Sequence, residues 1–139
     1  MTFYESEIKR IKNIVYSNQG QLDTVIGIRN YIDNNYDKNL NLDLLSHIRY
    51  VSKFHLLRLF KRYYGLSPKK YLTAKRIEIS IDYLKKGMDI TETCYAIGFD
   101  SPSSFSTLFK SRKGQTPTEF QKEQLSQSRF NTDFTTLQY

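Results

Sequence analysis

Apolar side chains recur at the spacing of an α-helix along nearly the whole chain. Near the N-terminus they form one stripe, which predicts an amphipathic helix over residues 4–17. The segment SNQGQ at 17–21 interrupts this pattern, and Asp23 is placed to cap a second helix that ends near Asn34. No stretch alternates β-branched and polar residues between turn signals, so the sequence predicts an all-α fold. The stripe consists of Tyr4, Ile8, Ile11 and Val15.

A second pattern repeats after 49 positions. SKFHLLRLFKRYYGLSP begins at Ser52 and SPSSFSTLFKSRKGQTP begins at Ser101, and both contain a serine, an apolar stripe, Leu-Phe-Lys, a glycine and a proline. In each copy the serine suits an N-cap, the glycine suits a helix C-terminus and the proline opens the next helix. With the short helix predicted before it, each copy forms a helix-turn-helix unit. The 49-residue offset aligns the two turns as Arg49-Tyr50 with Gly98-Phe99.

These signals divide the chain into five predicted segments. The longer helix of each unit is expected to bury one stripe, and the helix that joins the units buries another. Helix 4–17 is expected to pack on its own domain, with dimerisation through it as the alternative. The predicted core stripes are Leu56, Leu59, Phe60 and Tyr63, then Leu72, Ile77, Ile81 and Leu84, then Phe105, Leu108 and Phe109. The segments are an N-terminal helix and connection at 1–20, a first helix-turn-helix subdomain at 21–67, a linker helix at 68–87, a second subdomain at 88–123 and a mobile tail at 124–139.

Positive charge coincides with the repeat. The formal net charge is +7, and no acidic residue lies between Asp43 and Glu78. From Ser101 to Thr118 the cations are again unopposed. Basic runs that follow both copies of a repeat favour a polyanionic partner over a merely solvated face. The basic residues of the first run are Arg49, Lys53, Arg58, Lys61, Arg62, Lys69, Lys70, Lys75 and Arg76.

Several classes of protein do not fit the sequence. No apolar run approaches the roughly 20 residues of a membrane span, and the N-terminus lacks the apolar core of a signal peptide, so a cytoplasmic location is expected. The lone Cys94 is expected to be buried apolar filler. His47 and His55 are the only histidines, and neither has partners at the spacing of a metal site or a catalytic triad. We therefore expect no metal, no cofactor and no enzymatic activity.

Two stretches carry a resemblance to a known family. AIGFDSPSSFSTLFKSRKGQTPTEFQ at 96–121 and LFKRYYGLSPKKYLTAKRIEISIDYL at 59–84 resemble the DNA-binding domain of the AraC/XylS family of bacterial transcription regulators. The resemblance implies about seven core helices, here with an added N-terminal helix, and two helix-turn-helix subdomains joined by a long linker helix. It also implies double-stranded DNA as the partner, read by two recognition helices in adjacent major-groove segments. The family often adds an N-terminal sensor domain; both a stand-alone regulator and a fragment of a larger one fit the sequence.

The predicted DNA contacts lie opposite the core stripes. Arg58 is placed to read guanine, and Phe54 and Leu57 to contact thymine methyl groups, with packing on another helix as their alternative. His55 is expected to contact a phosphate or base unless it is an idle surface histidine. Thr107 stands where the family commonly has arginine, and its short hydroxyl reads bases ambiguously. The predicted contacts are Ser52, Lys53, Phe54, His55, Leu57, Arg58, Lys61 and Arg62 in the first unit and Ser101, Pro102, Ser103, Ser104, Ser106, Thr107 and Lys110 in the second.

A second function class stays open on the sequence alone. The chain is also compatible with a protein-interaction module that recruits RNA polymerase or a partner regulator without reading DNA itself. RNA polymerase is in either case a partner that such a domain can engage. A monomer is the expected oligomeric state, and a weak dimer remains the alternative. Only a DNA reader combines salt-sensitive duplex binding with discrimination between sequences.

The linker generates a geometric prediction. A helix of about 19 residues spans about 28 Å, which suits two recognition helices about one turn of DNA, roughly 34 Å, apart. Inserting about 5 base pairs between the two half-sites turns one of them to the opposite side of the duplex, so we expect joint engagement to be lost. Footprinting on both duplexes measures this. Equal protection of both half-sites after the insertion would contradict a rigid linker.

Overall fold

The computed structural model describes residues 2–137, and it describes side chains for residues 2–14 and 18–129. Within residues 2–137 the chain is helical and contains no strand, so the predicted all-α class is confirmed. No helix among these residues is both long and apolar enough to cross a membrane. The helices are α1 (Phe3–Asn34), α2 (Leu42–Ile48), α3 (Lys53–Tyr64), α4 (Pro68–Lys85), α5 (Ile90–Ala96), α6 (Pro102–Lys113) and α7 (Pro117–Leu137).

The first helix is longer than the sequence pattern predicts. The expected break at 17–21 is wrong, because α1 continues without interruption over 32 residues. A glycine inside a helix costs only about 1 kcal/mol relative to alanine, and local bonds stabilise this region. The amide of Gln19 donates to the Asp23 carboxylate at 3.1 Å, and the Thr24 hydroxyl donates to the Gly20 carbonyl at 2.9 Å. Asp23 therefore lies inside a helix and caps none, and seven helices replace the predicted eight over residues 2–137.

The two halves of α1 have different environments. Val25, Ile28 and Ile32 are fully buried, whereas the described apolar side chains of residues 3–14 are half or more exposed. The expectation that the helix predicted at 4–17 packs on its own domain is therefore wrong for these residues. The Val15 side chain, which belongs to the same predicted stripe, lies outside the described side chains.

The helices form two compact units. The first unit comprises residues up to 35 and residues 40–71, and its apolar core combines the second half of α1 with α2 and α3. Tyr71 closes this core: its ring packs edge-on against Phe60 with centroids 5.6 Å apart, and its hydroxyl donates to the Asp33 carboxylate at 2.7 Å. Burial and this hydrogen bond raise the pKa of Tyr71. The buried side chains of the first unit include Val25, Ile28, Ile32, Leu45, Leu56, Leu59 and Phe60.

The second unit comprises residues 36–39 and the chain from Leu72 onward. A row of aromatic rings runs through its core, with successive centroids 5.6, 5.8 and 5.5 Å apart from Phe99 through Phe105 and Phe109 to Phe120. Cys94 is buried in this core, as predicted, and burial raises the pKa of its thiol. The predicted linker stripe is confirmed as well. Leu72, Ile77 and Leu84 are buried and Ile81 is partly buried.

Arg76 has a structural role in the second unit. Its guanidinium donates from Nε to the Tyr36 carbonyl at 2.7 Å and from Nη2 to the Lys38 carbonyl at 2.8 Å, and it lies 5.5 Å from the Phe99 ring centre. Burial lowers the pKa of this group. The prediction that Arg76 is one of the cations that attract a polyanion is wrong, because its guanidinium donates to carbonyls within the fold.

The C-terminal helix extends past the predicted second subdomain. It begins with a reciprocal cap, in which the Glu119 amide donates to the Thr116 hydroxyl and the Thr116 amide donates to the Glu119 carboxylate. The Gln121 amide then donates to the Leu84 and Met88 carbonyls at 3.1 and 2.7 Å. The segment from residue 124, expected to be a mobile tail, is helical as far as Leu137. The last two residues of that predicted tail lie outside the described residues.

The 49-residue repeat is present in the structure of the two longer helices. Both α3 and α6 have 12 residues, with Ser52 and Ser101 as N-caps. Helix α3 ends at Gly65 and α6 ends at Gly114, and both glycines are left-handed, with φ 76° and ψ 0°. Each glycine amide donates to the carbonyl of the fourth residue before it, at 2.8 Å. Only glycine adopts this conformation without a steric cost. The repeated residues therefore define the start, the length and the end of each helix.

The turns differ from the predicted alignment by one residue. The left-handed position after α2 is Tyr50, with φ 53°, and the left-handed position after α5 is Gly98, with φ 96°. The amides of these two residues donate to the carbonyls three residues earlier, those of His47 and Tyr95. In each turn, the amide of the following residue donates to the carbonyl five residues before it. Tyr50 is therefore the counterpart of Gly98, not of Phe99, and the second turn contains one more residue. The hydrogen bonds at the helix ends show that Tyr50 and Gly98 are equivalent. The 49-residue offset between the two motifs does not reveal this, because the turns differ in length.

Tyr50 supplies a stability prediction. A side chain in the left-handed region costs about 1–2 kcal/mol, and the Tyr50 side chain is 97% exposed and so gains little from burial. We expect Tyr50→Gly to raise the free energy of unfolding by about 1 kcal/mol. Tyr50→Ala is the control, because it removes the ring and keeps the strain. Urea denaturation measures both, and a glycine variant no more stable than the alanine variant would refute the strain.

Arg76 supplies a second stability prediction. Arg76→Met leaves the Tyr36 and Lys38 carbonyls without their charged donor, so we expect a loss of about 2–4 kcal/mol in the free energy of unfolding. The matched control is Lys75→Met, which removes the same charge from the neighbouring residue of α4. Thermal or urea unfolding of the two variants gives the comparison. Equal effects would mean that net charge, not the two hydrogen bonds, explains any loss.

Candidate nucleic-acid interface

One side of α3 is buried and the other is rich in cations. The Ser52 hydroxyl caps the helix by accepting from the His55 amide at 3.1 Å. Leu56, Leu59 and Phe60 then fix the rotation of the helix by facing the core of the first unit. This rotation leaves the predicted contact residues on the outer side. The exposed ones are Ser52, Lys53, Phe54, Arg58, Lys61 and Arg62, whereas His55 and Leu57 are half-buried.

The exposed cations of α3 are not equivalent. Arg58 has no ion-pair or hydrogen-bond partner for its guanidinium among the described residues, so its five donors are available to a ligand. Lys53 instead pairs with the Asp43 carboxylate at 2.6 Å. Arg62 lies over the ring of Tyr63 at 5.9 Å. An exposed ion pair is worth about 0–1 kcal/mol, so Lys53 is weakly held but less available than Arg58.

The two apolar residues that the sequence places on the outer side differ in the structure. Phe54 is 78% exposed, so most of its side chain is available to a ligand. Leu57 is half-buried, so part of its side chain packs on the protein. Phe54 is therefore the stronger candidate for an apolar contact with a ligand.

The outer side of α6 presents hydroxyl groups that are already engaged. The Thr107 hydroxyl donates to the Ser103 carbonyl at 2.9 Å, which leaves only its acceptor lone pairs free. The Ser101 hydroxyl accepts from the Ser104 amide at 3.2 Å and donates to the Ser104 hydroxyl at 3.0 Å. Lys110 is exposed and has no partner for its amine among the described residues. Of the predicted contacts, Ser103, Ser104, Thr107 and Lys110 are exposed, and Ser101, Pro102 and Ser106 are half-buried.

The structure adds one residue that the sequence analysis did not predict as a contact. Tyr50 lies in the turn just before α3, and its side chain is almost completely exposed. A phenol is a hydrogen-bond donor and an apolar surface at once. In the sequence, a tyrosine occupies a turn position where the other repeat has glycine. The 49-residue offset misaligns the two turns by one residue, so the sequence pattern did not reveal this difference.

The arrangement provides groups that suit the recognition of a polyanion. Within the described residues there is no group of three or more His, Cys, Asp or Glu side chains close enough to hold a metal ion. The outer sides of α3 and α6 instead offer a guanidinium, amines, hydroxyl acceptors and one exposed aromatic ring. These groups bind phosphates and the edges of bases.

Comparison with known proteins agrees with this geometry. A family model described as a helix-turn-helix domain matches residues 45–123, which is more than half of the chain. An HTH-type transcriptional regulator of Pseudoalteromonas carrageenovora is 35% identical over 95 residues, which make up 66% of this chain and 55% of that protein. The chain spans about half the length of the curated relatives it matches.

Solved structures are similar over most of the chain. The C-terminal domain of AraT, a response regulator from Geobacillus stearothermophilus, is 28% identical with a TM-score of 0.70, over 72% of this chain and 84% of that one. A transcriptional regulator with an AraC-type DNA-binding domain from Chromobacterium violaceum is 26% identical with a TM-score of 0.65, over 78% of this chain and 96% of that one. Together with the paired, capped helices α3 and α6, these findings show that the chain belongs to the AraC-type family of helix-turn-helix transcription regulators.

Proposed function

We propose that this domain regulates transcription by binding double-stranded DNA sequence-specifically in the cytoplasm, with α3 and α6 each entering a major groove. The observation that carries the proposal is the outer side of α3, where Arg58 has no partner among the described residues and lies on the same helix as the exposed ring of Phe54. Both suit the major groove, which offers guanine acceptors and thymine methyl groups. The proposed activity is binding, without a catalytic step.

The first unit carries most of the sequence reading in this proposal. Arg58 donates two hydrogen bonds to O6 and N7 of a guanine, and Phe54 contacts a thymine methyl group. Lys61 and Arg62, one turn further along α3, contact phosphates and set the depth of the helix in the groove. Lys53 joins them after exchanging the Asp43 carboxylate for a phosphate.

The second unit reads bases less selectively. Because the Thr107 hydroxyl donates within its own helix, it offers the groove only an acceptor. An acceptor suits the amino groups of both cytosine and adenine, so it separates base pairs poorly. Lys110 contributes a phosphate contact, which orients α6 and does not depend on sequence. We therefore propose that the two units contribute unequally to specificity.

Selection of bound duplexes from a random pool tests the proposal directly. A sequence reader enriches a defined site, whereas a module that only recruits RNA polymerase or a partner regulator enriches none. Fluorescence anisotropy on the enriched duplex and on a scrambled duplex then gives the ratio of affinities. Equal affinities for the two duplexes would overturn sequence-specific reading.

The cationic outer sides predict a steep salt dependence. With about 6 phosphate contacts, the logarithm of the binding constant should fall with the logarithm of salt concentration with a slope of about −5. Titrations at four or five salt concentrations measure this slope. A slope near zero, or no binding to any duplex at low salt, would refute duplex binding as the function.

Three alanine variants test the division of labour. Arg58→Ala should cost about 1–3 kcal/mol of binding and relax the preference at one base pair. Thr107→Ala should cost less and change preference little, and Lys110→Ala should weaken all sequences alike. Lys122→Ala, an exposed cation on α7, is the charge control. The measurement is the affinity of each variant for every single-base change in the site. An Arg58→Ala profile parallel to the wild-type profile would contradict the assignment of base reading to Arg58 in the first unit.

A further inference from the structure

Arg49 lies against the backbone of α1 at a point where a glycine leaves room for it. A Cβ atom added at Gly27 would lie 1.7 Å from Nη2, 2.2 Å from Cζ and 2.5 Å from Nε of Arg49. Carbon atoms in contact are about 3.5–4 Å apart, so the guanidinium occupies the space that a side chain at position 27 would need. Both residues belong to the first unit. The absence of a side chain at Gly27 therefore determines where the Arg49 guanidinium lies.

This contact leaves the hydrogen-bond donors of Arg49 available. Arg49 is exposed as a residue, and within the described part of the chain its guanidinium has no hydrogen-bond or ion-pair partner. A guanidinium carries its N–H donors in a fixed plane. Contact with α1 restricts the positions that this long side chain samples, and a side chain that is already ordered loses less entropy on binding. Arg49 is thus a cation that is pre-organised for a ligand.

The turn itself does not require an arginine at this position. Arg49 is the C-cap residue of α2, and the corresponding C-cap residue of α5 is Ile97. Ile97 is fully buried in the core of the second unit, whereas Arg49 stays on the surface of the first. The next residue, Tyr50, is 97% exposed, so the first turn borders solvent. The second unit thus shows that an apolar residue satisfies the turn, while the first unit presents a charge there.

The place of Arg49 in the first helix-turn-helix unit indicates which ligand suits it. In this motif the second helix enters the major groove and the first helix crosses the phosphate backbone. Arg49 follows the first helix and precedes Ser52, the N-cap of α3, by three residues. We propose that Gly27 positions the Arg49 guanidinium to bind a phosphate of the DNA backbone beside the groove that α3 enters. The proposal rests on the proposed function and adds to it a phosphate contact and a positioning residue.

Removal of the guanidinium tests the contact. Arg49→Ala should weaken binding about tenfold, on the enriched and the scrambled duplex alike, because a phosphate contact carries no sequence information. The slope of the logarithm of the binding constant against the logarithm of salt concentration should become shallower by about 1. Fluorescence anisotropy at several salt concentrations measures both quantities. An unchanged affinity and slope, or a loss confined to one base pair of the site, would overturn the phosphate contact.

A methyl group at position 27 tests the positioning. Gly27→Ala keeps the charge but displaces the guanidinium, so we expect affinity for the duplex to fall about two- to tenfold. The midpoint of urea unfolding should not fall, since alanine is the better helix former. The matched control is Gly20→Ala in the same helix, where an added Cβ meets no described atom within 4 Å beyond its own helix turn. Equal effects of the two variants on affinity would overturn the role of Gly27.

A double-mutant cycle separates positioning from a purely structural role. In the Arg49→Ala background, Gly27→Ala should have no further effect on affinity, because the group that it displaces is gone. A loss of the same size in both backgrounds would mean that Gly27 acts through α1 alone and would overturn the proposal. An Arg49→Ala variant that unfolds at lower urea but binds as tightly as wild type would overturn it as well. Absence of binding by the wild-type chain would overturn the proposed function together with this contact, whereas the preceding outcomes overturn this contact alone.

Discussion

Burial of one aromatic ring in each of α3 and α6 is the constraint on which the rest of the structure depends. Phe60 in α3 and Phe109 in α6 are fully buried at equivalent positions of the repeat. A 12-residue helix with one face anchored in this way cannot rotate about its axis without exposing that ring. The serine and glycine caps fix where each helix begins and ends. Together they decide which side chains face outward, and so which residues are available to a ligand.

The fold uses part of its positive charge for its own architecture. Arg76 donates to two backbone carbonyls of the segment 36–39, and Arg29 lies 5.6 Å from the centre of the Tyr64 ring. Lys53 pairs with Asp43. A count of basic residues therefore overstates the charge that a polyanion meets. Arg58 and Lys110 have no partner among the described residues, and they lie on the outer sides of α3 and α6, where the proposed function needs them.

The long first helix joins two physical roles in one element. Its second half supplies Val25, Ile28 and Ile32 to the core of the first unit, and its first half carries apolar side chains into solvent. Because a helix propagates more easily than it nucleates, the packed half stabilises the exposed half.

The sequence by itself determined the helical class, the repeated unit and the caps, because periodicity, serine, glycine and proline act over a few residues. It also identified the buried stripes around Phe60, Phe109 and Leu84, since a helical face must be covered somewhere. The structure, and not the sequence pattern, revealed the continuity of α1, where local hydrogen bonds outweigh the low helix propensity of Gly20. It also decided that Tyr50 is the counterpart of Gly98, and that Arg76 faces two carbonyls while Arg58 has no partner among the described residues. Whether a cation is free depends on groups such as the Tyr36 carbonyl, 40 residues away in the chain, and no local pattern in the sequence carries that information.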